Sequence, residues 1–100
     1  MFYTYILFSV RLNRYYVGTT DDVVRRLEEH NNAFYEDAYT SKGIPWNLLL
    51  SIVCDSSSEA YRLEAFIKRM KSRKFIEKII LDPNIFYQIR REKSCGFNPE

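Results

Sequence analysis

Residues 14–31 have the sequence RYYVGTTDDVVRRLEEHN, which places two tyrosines and a glycine directly before a predicted helix. The letters TTDD supply N-cap hydroxyls and first-turn carboxylates, so a helix is predicted over about residues 21–30. Its apolar residues already provide an inward face. Arg26 and His30 lie one helical turn apart on the same side, and that pair needs another explanation.

The segment before this stretch predicts a β-hairpin. FYTYILFSV, at residues 2–10, is rich in aromatic and β-branched residues, which predicts a strand. The polar link RLNR is so short that it joins antiparallel neighbours, so YYVG is predicted as a second strand that ends at Gly18. The opening run has no basic segment before it and no small-residue cleavage site after it, which favours a strand over a signal peptide.

The second half of the chain predicts one more strand and two helices. Residues 46–54, WNLLLSIVC, are apolar enough for a central strand of the sheet. Ser56 and Glu59 have the spacing of a capping box for a second helix, and a third helix is predicted near Ser72. Residues 31–45 are predicted as a long loop of a length that is more often functional than idle. IFYQI is predicted as a short closing strand or extended segment.

The order β-β-α-β-α-α predicts an α+β fold, with a small antiparallel sheet of about three strands flanked by helices. For a chain of 100 residues we expect one domain over residues 1–93 and a short tail over residues 94–100. The 46% hydrophobic content argues against disorder, and no stretch approaches the ~20 apolar residues of a membrane span. Cys54 and Cys95 lack metal-binding spacing and suggest reduced thiols, so a cytoplasmic location is expected.

The net charge of +2 hides an uneven distribution of basic and acidic residues. Residues 62–78 contain seven Lys or Arg against two Glu, whereas residues 1–61 contain five Lys or Arg against eight Asp or Glu. A local basic block of this kind is a candidate binding surface for nucleic acid. Charge alone is equally compatible with a solvated helix face. The candidates for contact with DNA phosphates are Lys68, Arg69, Lys71, Arg73 and Lys74.

Several motifs along the chain have a joint spacing that is far more specific than any tripeptide alone. YTY at residues 3–5 and YVG at residues 16–18 precede Arg26 and His30, and Glu64 follows within EAYRLEAFIKRMKSRKF. This pattern resembles the GIY-YIG endonuclease superfamily in its small single-domain form. The resemblance implies metal-dependent hydrolysis of DNA phosphodiester bonds, with DNA repair or recombination as candidate roles.

The resemblance also implies what three of these residues do. Glu64 would be the metal-binding carboxylate for Mg²⁺ or Mn²⁺, since Mg²⁺ retains most of its waters and needs few protein ligands. Arg26 would hold the phosphate through its planar guanidinium. Gly18 would let the backbone turn closely into the helix, where a Cβ would collide.

By the same resemblance, two tyrosines and a histidine would act on the attacking water. Tyr5 would help to deprotonate that water, and Tyr16 would position the water or the phosphate. A phenol with a reference pKa of ~10 is a poor base until a metal or a guanidinium lowers it. His30 would assist by hydrogen bonding or proton relay.

Each candidate also has an ordinary structural explanation. The two tyrosines would serve equally well as cross-strand aromatics. Arg26 is compatible with a surface position, and His30 with a cation at the C-terminal end of a helix. Glu64 has the spacing to form an ion pair with Lys68, four residues later.

The expected partner is DNA, branched or damaged, and no membrane is expected. A homodimer or a protein partner would supply specificity. A non-catalytic module for binding nucleic acid or protein on the same scaffold is the alternative function, and an RNA-directed nuclease is another. Asn84 and Tyr39 match positions that similar proteins often fill, and neither is assigned to the site.

Overall fold

The computed structural model describes residues 1–32, 41–82 and 84–85. These residues form strands and helices in the order β-β-α-β-α-α, which confirms the predicted α+β fold class. The elements are β1 (Phe2–Ser9), β2 (Arg14–Thr20), α1 (Val23–Asn31), β3 (Trp46–Cys54), α2 (Ser57–Met70) and α3 (Arg73–Leu81). Every helix in the described ranges is too short or too polar to span a bilayer. Most of the predicted 31–45 loop and of IFYQI, with Tyr39, Cys95 and the 94–100 tail, lies outside the described residues.

The sheet has the strand order β2-β1-β3, and both pairings are antiparallel. The expectation that residues 46–54 form the central strand is therefore wrong, because β1 occupies that position. Residues 4–7 of β1 are buried on both faces, whereas Leu48 and Leu49 of β3 are 39% and 42% exposed. An apolar run predicts that a strand forms, but pairing with distant segments decides where it lies in the sheet.

Alternating side chains give the sheet two differently packed faces. One face packs against α2 and α3 through a core of Ile6, Val17, Ile52, Cys54, Ala60, Leu63, Ile67 and Ile79. The other face carries Tyr5, Leu7 and Trp46, and Tyr16 and Leu27 pack against them. Because Leu27 belongs to α1, that helix lies on the opposite side of the sheet from α2 and α3.

The start of α1 differs in detail from the prediction. Asp22 is the N-cap, and its carboxylate accepts the Arg25 backbone N–H at 3.0 Å, so α1 begins later than residue 21. The first turn of α1, all of which the structure describes, contains no acidic residue. The Thr20 hydroxyl accepts the Asp22 backbone N–H instead of capping the helix. Since β2 continues to Thr20, Gly18 lies within a strand and not at its end.

The start of α2 confirms its predicted Ser56 cap, and α3 begins near Ser72 as predicted, with Ser72 as its cap. Ser56 Oγ accepts the Glu59 backbone N–H at 3.1 Å, and Ser72 Oγ accepts the Phe75 N–H at 3.1 Å. The Glu59 carboxylate accepts the Asp55 N–H at 2.6 Å, so the return bond of the capping box falls one residue before the cap. Each serine cap is worth about 1 kcal/mol of stability. The Ser56 cap fixes where α2 begins and therefore where Glu64 lies.

Candidate active site

The β1–β2 hairpin brings Tyr5 and Tyr16 onto one face of the sheet. In its register Tyr5 lies opposite Gly18 and Leu7 lies opposite Tyr16, so the two tyrosines are diagonal neighbours. Their ring centroids are 6.4 Å apart, and their ring planes differ by 29°. The structure thus brings together the two phenols that the sequence placed on separate arms of the hairpin.

Gly18 leaves the space that the Tyr5 ring occupies. A Cβ added at Gly18 would lie 2.6 Å from Tyr5 Oη and 2.8 Å from Cζ, and 3.1 Å from Tyr16 Cε1. Contacts this short do not occur in folded proteins without movement of the neighbouring groups. The glycine is therefore required by the cross-strand tyrosine and not, as the sequence suggested, by the turn into α1.

His30, in the last turn of α1, joins the two tyrosines. Its Nε2 lies 3.3 Å from Tyr5 Oη, within hydrogen-bonding distance. The ring meets Tyr16 edge-on, with centroids 4.8 Å apart and planes at 64°. Tyr5 is 1% exposed and His30 is 2% exposed, whereas Tyr16 is only partly buried. The Tyr16 ring is therefore the member of this cluster that solvent reaches.

Trp46 and Asn31 also hold this cluster together, and the sequence reasoning missed both. The Trp46 ring is buried, with its centroid 6.0 Å from that of Tyr16. The Asn31 side chain accepts the Trp46 backbone N–H at 2.6 Å and donates to the Trp46 carbonyl oxygen at 3.1 Å. This two-way bond fixes the end of α1, and hence His30, to the start of β3. A signal was available, because Trp46 is the single tryptophan of the chain.

Arg26 lies on α1 one turn before His30 and is partly exposed, with 30% of its side chain accessible. Its Nε is 3.4 Å from Glu29 Oε1. The neighbouring Arg25 donates from Nη2 to Asp21 Oδ1 at 2.8 Å, and its Nε lies 3.7 Å from Glu29 Oε2. Arg26 therefore shares the helix face of His30, as predicted, and its side chain is held by a contact with the partly exposed Glu29 carboxylate.

Glu64 lies on α2 and forms the ion pair that the sequence offered as its ordinary explanation. Lys68 Nζ is 2.6 Å from Glu64 Oε2, and the carboxylate side chain is 18% exposed. Lys68 Nζ also lies 5.8 Å from the centroid of the Tyr16 ring. Because α2 packs on the opposite sheet face from the tyrosine cluster, this contact is made around the sheet edge formed by β2. Tyr16, Lys68 and Glu64 therefore meet at one edge.

The remaining basic candidates are placed in different ways. Arg73 is fully engaged: its guanidinium donates to Asn13 O at 2.7 Å, to Asn13 Oδ1 at 2.8 Å and to Glu77 Oε2 at 3.1 Å. Arg69 lies over the Phe66 ring at 5.8 Å. Lys71 and Lys74 are exposed. The hydrogen bonds of Arg73 thus connect the hairpin turn to α3, whereas Lys71 and Lys74 face solvent.

Asn84 has no part in this arrangement. It follows α3, is exposed, and donates its backbone N–H to Asp82 Oδ1 at 3.2 Å. That bond is a local one at the end of a helix. The structure therefore gives no reason to add Asn84 to the site.

The donor groups at this edge fit a divalent cation that keeps most of its water ligands, and do not fit one that is enclosed by protein ligands. Among the described residues, no group of three or more His, Cys, Asp or Glu is gathered closely enough to enclose a metal ion. A tetrahedral Zn²⁺ site needs at least three such ligands, whereas Mg²⁺ is commonly held by one or two carboxylates together with waters and substrate phosphates. Glu64 alone satisfies the second requirement, provided that the Lys68 ammonium moves aside.

The chain is similar to one protein family and to one relative from a bacterium. The family model described as the GIY-YIG catalytic domain matches residues 1–78, a range that contains every candidate site residue from Tyr5 to Lys74. A UPF0213 protein from Syntrophus aciditrophicus (strain SB) is 34% identical over 68 residues, which cover 68% of this chain and 78% of that protein. No solved structure matches the chain.

Proposed function

The chain belongs to the GIY-YIG family, and on that premise we propose that it is a metal-dependent endonuclease that hydrolyses DNA phosphodiester bonds. The family supports a nuclease-type domain directed at nucleic acid. The observation that carries the finer proposal is the meeting of the Tyr16 ring, the Lys68 ammonium and the Glu64 carboxylate at the β2 edge. For phosphodiester hydrolysis, a phenol can orient the attacking water, a carboxylate can hold a metal ion, and a cation can stabilise the charge on the phosphoryl oxygens.

Burial distinguishes the roles of the two tyrosines. Tyr16 is accessible to solvent, so its hydroxyl is the one suited to orient the attacking water or accept its proton. Tyr5 is buried, and its hydroxyl is engaged with His30, so Tyr5 is suited to fix the imidazole against Tyr16. This assignment reverses the emphasis of the sequence-based interpretation, which gave the proton transfer to Tyr5.

Arg26 and a metal ion held by Glu64 would compensate the negative charge of the phosphate. Arg26 would bind two phosphoryl oxygens through its fork, after leaving the contact with Glu29. Glu64 would hold the Mg²⁺ or Mn²⁺, which supplies a Lewis acid for the phosphoryl oxygens and the leaving group. The Lys68 ammonium, displaced from Glu64, would remain close enough to Tyr16 to contact the same phosphate.

A second candidate function follows from one observation. The 2.6 Å Glu64–Lys68 pair compensates the charge of the proposed metal ligand within the protein itself. A domain that binds nucleic acid without cleaving it would keep such a pair permanently. The two functions differ in whether Glu64 binds a metal in the presence of substrate.

A cleavage panel with a matched variant separates these functions. Linear, flapped, branched and single-stranded DNA, and single-stranded RNA, are incubated with Mg²⁺, Mn²⁺ or a chelator. We expect metal-dependent cleavage of at least one DNA substrate, and its loss in Glu64→Gln, which keeps the size of the side chain. Thermal melting of Glu64→Gln controls for folding. DNA binding without cleavage of any substrate would establish the non-catalytic alternative, and cleavage of RNA alone would redirect the proposal to RNA.

A further inference from the structure

A cleft with a positively charged wall lies next to the candidate active site. It occupies about 610 Å³ between the β1–β2 turn and the junction of α2 with α3. Its polar lining includes Asn13, Arg14, Lys68, Lys71, Ser72 and Arg73. Among the described residues that line it there are four cations and no carboxylate. We call this feature the cationic cleft, and Tyr16 forms part of its wall, so it opens onto the active-site edge.

The four cations of the cationic cleft divide into two pairs. Lys68 and Arg73 already have carboxylate partners, Glu64 and Glu77. The side chains of Arg14 and Lys71 form no ion pair with any described residue, and both are exposed. Two cations without a carboxylate partner attract an anionic ligand and repel a cationic one. The uncompensated pair therefore indicates what kind of ligand the cleft would hold.

The walls of the cationic cleft are held in place without any ligand. Arg73 donates three hydrogen bonds that join Asn13 of the hairpin turn to Glu77 of α3. Tyr15 packs between them, with its ring 5.2 Å from the Arg73 guanidinium and its hydroxyl donating to Glu77 Oε2 at 3.2 Å. A phenol is already protonated at neutral pH and can donate this bond, and burial, followed by the bond to Glu77, raises the pKa of Tyr15 further. The turn and α3 therefore form a prearranged wall.

The size of the cationic cleft selects among anionic ligands. Its volume lies in the range of about 300–1,000 Å³ that is typical of sites for small molecules, which is too small for a nucleic-acid duplex. A short stretch of one strand fits this volume. Because the cleft continues from Tyr16 and Lys68, a strand whose scissile phosphate lies at the active-site edge would run into it.

We propose that the cationic cleft binds the sugar–phosphate backbone of a single DNA strand next to the scissile bond, through Arg14 and Lys71. This inference rests on the proposed nuclease function and adds a path for the substrate strand. Arg14 was not among the residues that the sequence suggested, because it belongs to the hairpin and lies outside the basic block at residues 62–78. Only the fold places it in the same cleft as Lys71.

The test compares two double variants that remove the same charge from the same parts of the fold. Arg14→Gln with Lys71→Gln changes the cationic cleft. Arg11→Gln with Lys78→Gln changes an exposed hairpin-turn arginine and an exposed α3 lysine that do not line it. Binding of fluorescein-labelled oligothymidylate is measured by anisotropy with EDTA present, across a salt titration. Thermal melting confirms that both variants fold.

We expect the cleft variant to bind more weakly and to lower the slope of log K against log salt concentration by about 1.4, since each phosphate contact on a single strand contributes about 0.7. The control variant should keep the wild-type slope. An equal loss in both variants would show that only overall charge matters, and no loss in either would show that the cleft is not used. Either result overturns the inference.

Two further measurements separate failure of the inference about the cationic cleft from failure of the proposed nuclease function. If the wild-type protein cleaves DNA and the cleft variant binds and cleaves equally well, the proposed role of the cationic cleft is wrong, while the nuclease function stands. Wild-type protein that neither binds nor cleaves nucleic acid would overturn both. Inorganic pyrophosphate is added as a competitor, and binding of pyrophosphate but not of oligothymidylate through Arg14 and Lys71 would make the cleft a small-anion site and reject a strand path.

Discussion

The two halves of the candidate site are built in contrasting ways. The hairpin half consists of Tyr5, Tyr16, Gly18 and His30, and the α2 half consists of Glu64 and Lys68. In the hairpin half, Tyr5 and His30 are almost fully buried, and a side chain at Gly18 would collide with Tyr5. In the α2 half, an ion pair lies on a helix surface, with the Lys68 side chain 52% exposed.

This contrast indicates which groups can move when a substrate binds. A buried and tightly packed cluster keeps one geometry, because every rearrangement would open a cavity or create a clash. A partly exposed ion pair such as Glu64–Lys68 contributes on the order of 1 kcal/mol, so a phosphate and a metal can replace it at little cost. The hairpin half would therefore orient the water, and the α2 half would exchange its partners.

The largest expected effect tests whether Arg26 acts together with the hairpin half. Arg26→Ala should reduce single-turnover cleavage by about 10²–10³, because one preorganised electrostatic donor is lost from the transition state. Arg26→Lys should recover little of this rate, since an ammonium cannot reproduce the two-pronged contact. Arg25→Ala is the matched control, as Arg25 is the adjacent helix residue and lies closer to Asp21, at 2.8 Å, than to Glu29, at 3.7 Å.

Thermal melting decides how the Arg26 result is interpreted. Neither Arg26→Ala nor Arg25→Ala should lower the melting temperature appreciably, because the core consists of apolar residues on other elements. An early-melting Arg26→Ala protein that cleaves normally per folded molecule would make Arg26 structural. The proposed site would then lose its phosphate-binding group.

The next effect in size tests the rigidity of the hairpin half. Gly18→Ala should lower the free energy of unfolding by about 1–3 kcal/mol, the usual range for overpacking, because its Cβ would lie 2.6 Å from Tyr5 Oη. Combining Gly18→Ala with Tyr5→Phe should restore part of that loss, since the nearest atom is then removed. Urea unfolding of the two single variants and the double variant measures the coupling. If Gly18→Ala is as stable as wild type, the Tyr5 ring moves freely and the contrast between the halves disappears.

Much of the fold follows from local sequence patterns. The third strand was predicted over residues 46–54 and forms over Trp46–Cys54, Ser56 caps the helix that it was expected to cap, and the third helix begins near Ser72 as predicted. Such features depend on a few adjacent residues, namely a run of β-formers or a serine before a helix. These features can therefore be predicted from the sequence without knowledge of the tertiary structure.

Most of the features that sequence reasoning missed depend on contacts between distant residues, and the N-cap of α1 at Asp22 is the local exception. The edge position of β3 follows from how β1 pairs with both neighbours. Position 18 has to be glycine because the hairpin register places Tyr5 directly opposite it. The bond of Asn31 to Trp46 joins residues 15 apart, and the cationic cleft joins the hairpin to the α2–α3 junction. None of these contacts has a local pattern from which it could be predicted.

The smallest expected effect tests whether the α2 half exchanges its partner. Lys68→Met removes the ammonium that lies 2.6 Å from Glu64 while keeping a long unbranched side chain. A divalent cation then no longer competes with Lys68 for the carboxylate, so its affinity should rise by about two- to fivefold, the factor that corresponds to a surface ion pair of 0.4–1 kcal/mol. Calorimetric titration with Mn²⁺, in the absence of DNA, measures the change. Lys78→Met, an exposed lysine on α3, is the control and should leave the affinity unchanged. Unchanged affinity in Lys68→Met would mean that Mn²⁺ does not bind at Glu64, and the exchange assigned to the α2 half would be wrong even if the hairpin half is as rigid as its packing indicates.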